Sequence, residues 1–255
     1  MKHEGEIVME DRKLTVRAVE RALDILLCFT QDRDLGLTEI ASKIDLHKST
    51  VHRLLATLEE KGFLIRNPAT EKYSLGIRIW ELSTHLPAFD ESAAVLLPSM
   101  ERLRDRLGET VSLYLRDGIE RVRIQAVQSQ QAIRRVAQIG ARLPLSVGAS
   151  SKVLAAYAPP EVLKELLESS GWPDYVEKDV YQEQLNDIIR LGYATSFEER
   201  EPGAAAVAVP VTGRSGNVIA ALSLSGPVSR LSRDTLVEYA AVLKEAASEM
   251  GMMIP

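Results

Sequence analysis

One segment, residues 37–63, constrains the fold of this chain more than any other: LTEIASKIDLHKSTVHRLLATLEEKGF. Apolar residues recur at helical spacing on both sides of a short polar break, which predicts two helices joined by a turn at residues 45–47. Thr38 is placed to cap the first helix. The predicted buried faces comprise Ile40, Ala41 and Ile44 in the first helix and Val51, Leu54, Leu55 and Leu58 in the second. The segment therefore has the pattern of a helix-turn-helix.

The opposite face of the second helix carries short or basic side chains. These are Ser49, His52, Arg53 and Ala56, with Thr50 and Thr57 on the flank, and Lys48 at the start of the helix is predicted to contact a phosphate. A helix that enters the major groove of DNA needs hydrogen-bonding side chains of this kind, because they read the base edges. The same apolar spacing also occurs in helical pairs that bind no nucleic acid, so a purely structural role is the alternative.

A β-hairpin is predicted directly after these helices. Two short apolar runs, at residues 64–65 and 73–75, flank an Asn67-Pro68 turn signal. Arg66 and Lys72 lie near the tip, where the wing of a winged helix would contact DNA phosphates. A solvated surface hairpin would have the same composition.

The local charge favours a DNA-binding role for this region. Between Lys48 and Arg78 there are six basic and three acidic residues, a balance of +3, whereas the whole chain has a net charge of −5. Phosphate contacts supply most of the non-specific affinity for DNA, so the local excess matters more than the total. Because the excess is small, high affinity would require a dimer on two half-sites.

The whole sequence has the length and composition of a two-domain protein. It has 255 residues, of which 45% are hydrophobic, and no apolar run approaches the roughly 20 residues of a membrane span. Residues 1–13 are polar and acidic, which predicts a disordered leader and not a signal peptide. The single cysteine, Cys28, excludes an intrachain disulfide and a multi-cysteine metal site, and fits a reducing cytoplasm.

Periodicity divides the chain into a DNA-binding domain at 12–76, a linker helix at 77–90 and a second domain at 91–255. The first domain begins with a helix whose apolar stripe is Val16, Val19, Leu23, Leu26 and Leu27. In the second domain, a helix to residue 107, restarting at Pro98, precedes strands at 110–115, 119–127 and 132–138. Helices follow near 150–157, 160–167 and 182–191, then strands at 193–197, 205–211 and 218–225 and a helix at 232–250. This order predicts an α+β domain with an antiparallel sheet.

The second domain lacks the usual catalytic and metal-binding side chains. The four histidines are His3, His47, His52 and His85, all in the first third of the chain. Nucleotide-binding loops, zinc motifs and a second cysteine are also missing from the sequence. We therefore expect no metal, no cofactor and no enzymatic activity, and a DNA-binding head joined to such a domain suggests a sensor.

Several sequence segments, taken in order, resemble the IclR family of bacterial transcriptional regulators. They are VRAVERALDIL at 16–26, the helix-turn-helix segment at 37–63, YSLG at 73–76, LPLSVGASSKVLAA at 143–156 and LSLSGPVSRLS at 222–232. The resemblance implies a winged helix-turn-helix, a C-terminal GAF-like effector domain, and dimers or dimers of dimers on inverted-repeat operators. One departure is His47, where many relatives have proline; His47 can instead reach a phosphate or be solvated.

The resemblance also implies an effector pocket, formed by Ala149, Ser150, Glu198, Ala204, Ala206, Ser223 and Ser225. Residues 148–151 open a helix, whose free N–H groups favour an anion. Ser223 and Ser225 are two apart on a strand, so both hydroxyls point to one side of the sheet. These groups would hold a small organic acid without a fixed positive charge; the alternative is that the serines only satisfy backbone groups.

The expected function is that of a cytoplasmic, DNA-binding transcriptional regulator with a small-molecule effector and no membrane association. Two other classes stay open at this point. A GAF-type enzyme that uses cysteines is disfavoured because no cysteine follows Cys28. A protein–protein adaptor would use the winged helix to bind a protein partner instead of DNA.

Overall fold

The computed structural model describes residues 15–85, 89–134, 136 and 138–253. The chain divides into two compact units, Met1–His85 and Leu86–Pro255. The predicted leader at residues 1–13 lies outside the described residues. No helix in the described part of the chain is long and apolar enough to cross a membrane.

The first unit is a winged helix-turn-helix, which confirms the predicted fold. Its elements are α1 (Arg17–Cys28), α2 (Leu37–Lys43), α3 (Lys48–Glu60), β1 (Leu64–Arg66), β2 (Tyr73–Leu75) and α4 (Ile77–Ser83). Strands β1 and β2 pair antiparallel, and Leu35 adds an isolated bridge to Tyr73. Helix α4 ends at Ser83, and residues 86–88 of the linker predicted at 77–90 lie outside the described residues.

The core of the first unit lies where α1, α2 and α3 meet. Ile40 on α2 and Leu55 on α3 are fully buried, as their spacing predicts. The apolar stripe predicted for α1 is mostly exposed. Ile25 and Phe29 are its buried residues, with Leu26 only partly buried, whereas four of the five predicted positions are 53–64% exposed: Val16, Val19, Leu23 and Leu27. The helix has two apolar faces, and the more regular one points outward.

Helix α2 is capped differently from the prediction. Gly36, not Thr38, is its N-cap residue, and Glu39 Oε2 accepts a hydrogen bond of 2.6 Å from the Gly36 amide. Thr38 is an exposed residue of the first turn. A glutamate three positions into a helix satisfies the N-cap amide and also interacts favourably with the helix dipole, so it replaces a capping hydroxyl here.

The second unit is built on a six-stranded antiparallel sheet, in the order β5-β4-β3-β8-β7-β6. Its elements are α5 (Phe89–Leu107), β3 (Thr110–Asp117), β4 (Glu120–Val127), β5 (Arg142–Pro144), α6 (Ala149–Ala156), α7 (Pro160–Glu168), α8 (Lys178–Leu191), β6 (Ala194–Phe197), β7 (Ala204–Thr212), β8 (Val218–Pro227) and α9 (Arg233–Met253). The predicted α+β class is confirmed.

Helices cover both faces of the sheet, and the alternation along β8 shows which residue faces which layer. Leu222 and Leu224 pack in the cluster that contains α5 and α9. Ala221 packs in the cluster that contains α6, α7 and α8, and Ser223 and Ser225 share its direction by the two-residue period of a strand. The side of the sheet beneath α6 therefore carries the small and polar residues.

Two predicted details of the second unit are wrong. Residues 132–134, 136 and 138 are not in a strand, because the outer edge of β4 is paired with β5 instead. Ile133 and Val136, two apolar residues in this segment, are exposed, with 73% and 70% of their surface accessible. Helix α5 also does not restart at Pro98 but continues through it.

Candidate DNA-binding and effector sites

Helix α3 presents its polar face to solvent in the first unit. Val51, Leu55 and Leu58 are buried on the inner side of the helix. The outer side carries the predicted phosphate contact Lys48 and the predicted base-reading residues, all exposed except the half-buried Thr50: Ser49, Thr50, His52 and Arg53. Because the inner side is fixed in the core, the outer side is a rigid surface and its side chains are available for base edges.

His47 has a structural role that the sequence reading missed. It is the N-cap residue of α3, and its Nδ1 accepts a 3.4 Å hydrogen bond from the Ser49 amide. The same nitrogen lies 2.9 Å from Ser49 Oγ. The imidazole thus takes the place of the usual Ser, Thr or Asp cap and fixes the start of the candidate recognition helix.

The two basic residues of the wing are held in surface ion pairs. Arg66 pairs with Glu71, and Lys72 Nζ lies 3.5 Å from Asp34 Oδ2 and 3.9 Å from Glu39 Oε2. All of these side chains are at least 39% accessible, so each pair contributes about 0–1 kcal/mol and a phosphate can compete for the cation. One surface groove brings Thr38, His52, Arg66 and Lys72 together, so α2, α3 and the wing share one face.

A small cavity of about 50 Å³ lies between the sheet and the start of α6. It brings together six of the seven predicted effector residues: Ala149, Ser150, Ala204, Ala206, Ser223 and Ser225. Strand register explains the grouping, because Ser225 pairs with Ala206 across β8 and β7 and therefore projects to the same side of the sheet. Ser223 Oγ donates a 3.1 Å hydrogen bond to the carbonyl of Val207, so one of the two hydroxyls also satisfies the backbone.

Glu198 is the predicted residue that the structure separates from this cavity. It lines a neighbouring cleft, and its Oε1 accepts a 2.7 Å hydrogen bond from the Gly203 amide within its own loop. Glu199 reaches the start of α6 instead, where its Oε2 lies 3.1 Å from the Gly148 amide and its Oε1 lies 2.6 Å from Lys152 Nζ. A carboxylate of the protein therefore already occupies part of the positive end of α6.

Tyr181 is one of the residues that line the cleft beside the cavity. Its hydroxyl donates a 2.6 Å hydrogen bond to the carbonyl of Leu145. Burial, and to a smaller extent the negative charge of Glu199, raise the pKa of Tyr181 above that of an ordinary tyrosine. The phenol therefore stays a hydrogen-bond donor and acts as a fixed support for the strand that leads into α6.

The cavity contains fixed charges that the sequence analysis did not predict. Arg121 on β4 is only 4% exposed and lines the cavity together with Tyr114 on β3. Arg200 and Glu201 also line it, with their side chains 3.1 Å apart. The expectation of a pocket without a fixed positive charge is therefore wrong. The sequence feature that could have predicted this positive charge is the alternation of Arg121 and Arg123 with Val122 along β4. The side of the strand that carries the two arginines faces inward.

Comparison with known proteins places both units in one family. Residues 18–68 match the IclR helix-turn-helix domain, and residues 91–252 match the bacterial transcriptional regulator IclR C-terminal domain. The chain is 33% identical over 245 residues to the regulator KdgR of Escherichia coli, covering 93% of this chain and 92% of KdgR. It is 34% identical over 237 residues to XynR of the same organism, covering 91% and 94%.

A solved structure gives the same assignment. An IclR homologue of Microbacterium hydrocarbonoxydans, crystallised with 4-hydroxybenzoate, superposes with a TM-score of 0.79 at 28% identity and covers 92% of this chain and 97% of its own. Sequence matches over both units and a shared fold along nearly the whole chain agree with one another. The chain belongs to the IclR family of bacterial transcriptional regulators.

Proposed function

We propose that this regulator binds its operator through α3 and the wing, and that a small organic acid in the cavity beneath α6 changes the operator affinity. The observation that carries the proposal is the grouping of Ser150, Ser223 and Ser225 with Arg121 in one cavity. The binding of 4-hydroxybenzoate by a structural neighbour supports an acid as the effector. Effector and DNA then affect each other's affinity by the same factor.

The double substitution Ser223→Ala and Ser225→Ala tests the effector site. We expect effector affinity to fall by roughly tenfold or more, because two hydroxyls leave the cavity. Operator binding without effector should stay near normal. Calorimetry on the full-length protein with a series of small carboxylates measures the first quantity, and a gel shift measures the second.

Ser112→Ala is the matched control for this experiment. Ser112 is 2% exposed and lies directly opposite Ser223 on β3, but it is not among the residues that line the cavity. Its substitution should leave effector affinity unchanged. An unaltered affinity in the double variant would place the effector elsewhere.

We further propose that the protein is a homodimer, or a dimer of dimers, that binds an inverted-repeat operator. The support is the outward apolar face of α1, where Val19, Leu23 and Leu27 are each more than half exposed. A row of large apolar side chains is costly in water, and a second copy of the same face would cover it. Two-fold pairing presents two recognition helices to two half-sites.

Leu23→Glu tests this assembly, because a charge in the centre of the α1 face would oppose the pairing of two copies. We expect dissociation in sedimentation experiments and loss of the two-half-site footprint on the operator. Asp24→Asn, at a neighbouring exposed position, should change neither result. A wild-type protein that protects a single half-site as a monomer would contradict the proposal.

The function proposed here is regulatory and not enzymatic, and it places the protein in the cytoplasm with the bacterial chromosome. The only cysteine, Cys28, is in the first unit, so the second unit has no thiol for cysteine-based redox catalysis. An adaptor that uses its winged helix for a protein partner would not recognise DNA. A gel shift with the DNA upstream of its own gene distinguishes the regulator from the adaptor.

A further inference from the structure

We propose that Arg121 determines the charge preference of the effector cavity by binding the carboxylate of the ligand. This inference rests on the proposed function and identifies the residue that makes the site selective for acids. Arg121 projects from β4, the second strand of the sheet, and its side chain is almost fully removed from solvent. A buried guanidinium that faces a cavity stabilises an anion strongly, because the surrounding medium screens it weakly.

The guanidinium of Arg121 is held in a defined orientation by an aromatic ring. Its Cζ lies 4.4 Å from the centroid of the Tyr114 ring. A cation–π contact of this kind restricts where the guanidinium can lie, and its N–H groups project outward in its own plane as a fork. The spacing of two of these N–H groups matches the two oxygens of a carboxylate. Because a guanidinium has five N–H donors, Arg121 can bind a ligand and other protein groups at the same time.

The ring that supports Arg121 is itself fixed. The Tyr114 hydroxyl accepts hydrogen bonds from Arg123 Nε at 2.9 Å and from Arg123 Nη2 at 2.5 Å. Arg123 Nη1 also donates a 3.3 Å hydrogen bond to the carbonyl of Gln138. Arg123 therefore acts as a positioning residue at the Tyr114 hydroxyl, whereas Arg121, two positions earlier on the same face of β4, lines the cavity.

The helix terminus is a weaker anion site than its sequence suggests. The amide of Gly148 already contacts Glu199, and the other Glu199 oxygen is held by Lys152. Gly148 has φ of +95°, which favours glycine, and a β-carbon there would lie 3.5 Å from Arg121 Nη2. The guanidinium is thus close to the start of α6, and a carboxylate bound to Arg121 has the serine hydroxyls within the same cavity.

The size of the cavity restricts the probes that test this inference. Its volume of about 50 Å³ has room for roughly four water molecules, so an acid of few atoms fits with little opening. The probes are pyruvate with its neutral analogue pyruvamide, and 4-hydroxybenzoate with 4-hydroxybenzamide. Each pair has nearly the same shape and differs in the charge of one group. The ratio of their dissociation constants therefore measures charge recognition.

The experiment is calorimetry on the full-length protein and on Arg121→Gln, Arg121→Lys and Arg123→Gln. We expect the wild type to prefer an acid over its amide, and Arg121→Gln to weaken acid binding by about 10- to 100-fold and lose the preference. Arg121→Lys keeps the charge without the fork and should retain part of the preference. Arg123→Gln removes the hydrogen bonds that support the Tyr114 ring but leaves the Arg121 charge in place, so it should lower the ratio by less than Arg121→Gln does.

The outcomes separate this inference from the proposed function. If Arg121→Gln folds, by circular dichroism, and still prefers the acid as the wild type does, the inference is wrong and the effector site stands. If Arg121→Gln does not fold, the test is Arg121→Lys. A wild-type ratio of the amide and acid dissociation constants in that variant would show that the guanidinium fork of Arg121 does not recognise the carboxylate. Equal binding of acid and amide by the wild type would overturn charge recognition altogether. If neither acid binds, both the organic-acid effector and the role of Arg121 are rejected.

Discussion

Replacing Arg53 with alanine is expected to weaken operator binding by roughly 1–3 kcal/mol and to relax the sequence preference at one position of each half-site. Arg53 lies on the exposed face of α3, opposite the buried Val51 and Leu55. Its removal therefore deletes a proposed base contact without disturbing the core. Fluorescence anisotropy with the operator and with single-base variants measures both effects, and circular dichroism checks the fold.

Two further substitutions show whether the effect of Arg53→Ala comes from a lost base contact. Arg33→Ala removes an exposed arginine from the α1–α2 loop and should leave operator binding unchanged. Lys72→Ala should weaken binding to all sequences alike and reduce the salt dependence by about one phosphate contact. If Arg53→Ala kept the affinity and the selectivity of the wild type, another face of the unit would have to contact the bases.

The DNA-binding unit could be predicted well from the sequence because its determinants are local. The 3.6-residue spacing of Ile40, Val51, Leu55 and Leu58 defines the buried side of two consecutive helices, and the opposite side follows by geometry. The caps of those helices were harder to predict. Glu39 accepts from the N-cap amide of α2 in place of a bond from the expected Thr38 hydroxyl, and His47 caps α3, for which no cap was predicted. Several side chains can satisfy the same amide.

The composition of the effector cavity could be predicted only in part, because it depends on contacts between distant segments. Ala149, Ser150, Ser223 and Ser225 lie in segments that carry the family resemblance. Arg121 does not, and a strand with alternating charge is usually interpreted as having its charged side in solvent. Here α6 covers that side of the sheet, so the charged side of β4 faces the interior.

Errors about exposed apolar residues have a related cause. Periodicity shows that one face of a helix is apolar, but it does not show what covers that face. The stripe that includes Leu23 is regular, yet the core of the first unit is filled by Ile25 and Phe29. A regular apolar face that stays exposed within one copy of the chain is the property expected of an oligomer contact.

Replacing Leu55 with alanine is expected to destabilise the first unit by about 2–5 kcal/mol, because the substitution leaves a cavity among fully buried side chains. Leu55 has no accessible surface and packs in the cluster formed by α1, α2 and α3. A unit of this size has a total stability of only several kcal/mol, so a large fraction of it would be lost. Operator binding should fall with the folded fraction, and not through a lost base contact as in Arg53→Ala.

Differential scanning calorimetry of the full-length protein distinguishes this effect from a global one. The chain divides into two compact units with separate hydrophobic clusters, so we expect Leu55→Ala to lower the transition of the first unit and leave that of the second in place. Leu222→Ala, at an equally buried position in the sheet, should do the reverse. A single transition that moves by the same amount in both variants would show that the two units unfold as one. Core substitutions could not then separate a loss of operator binding from a loss of effector binding.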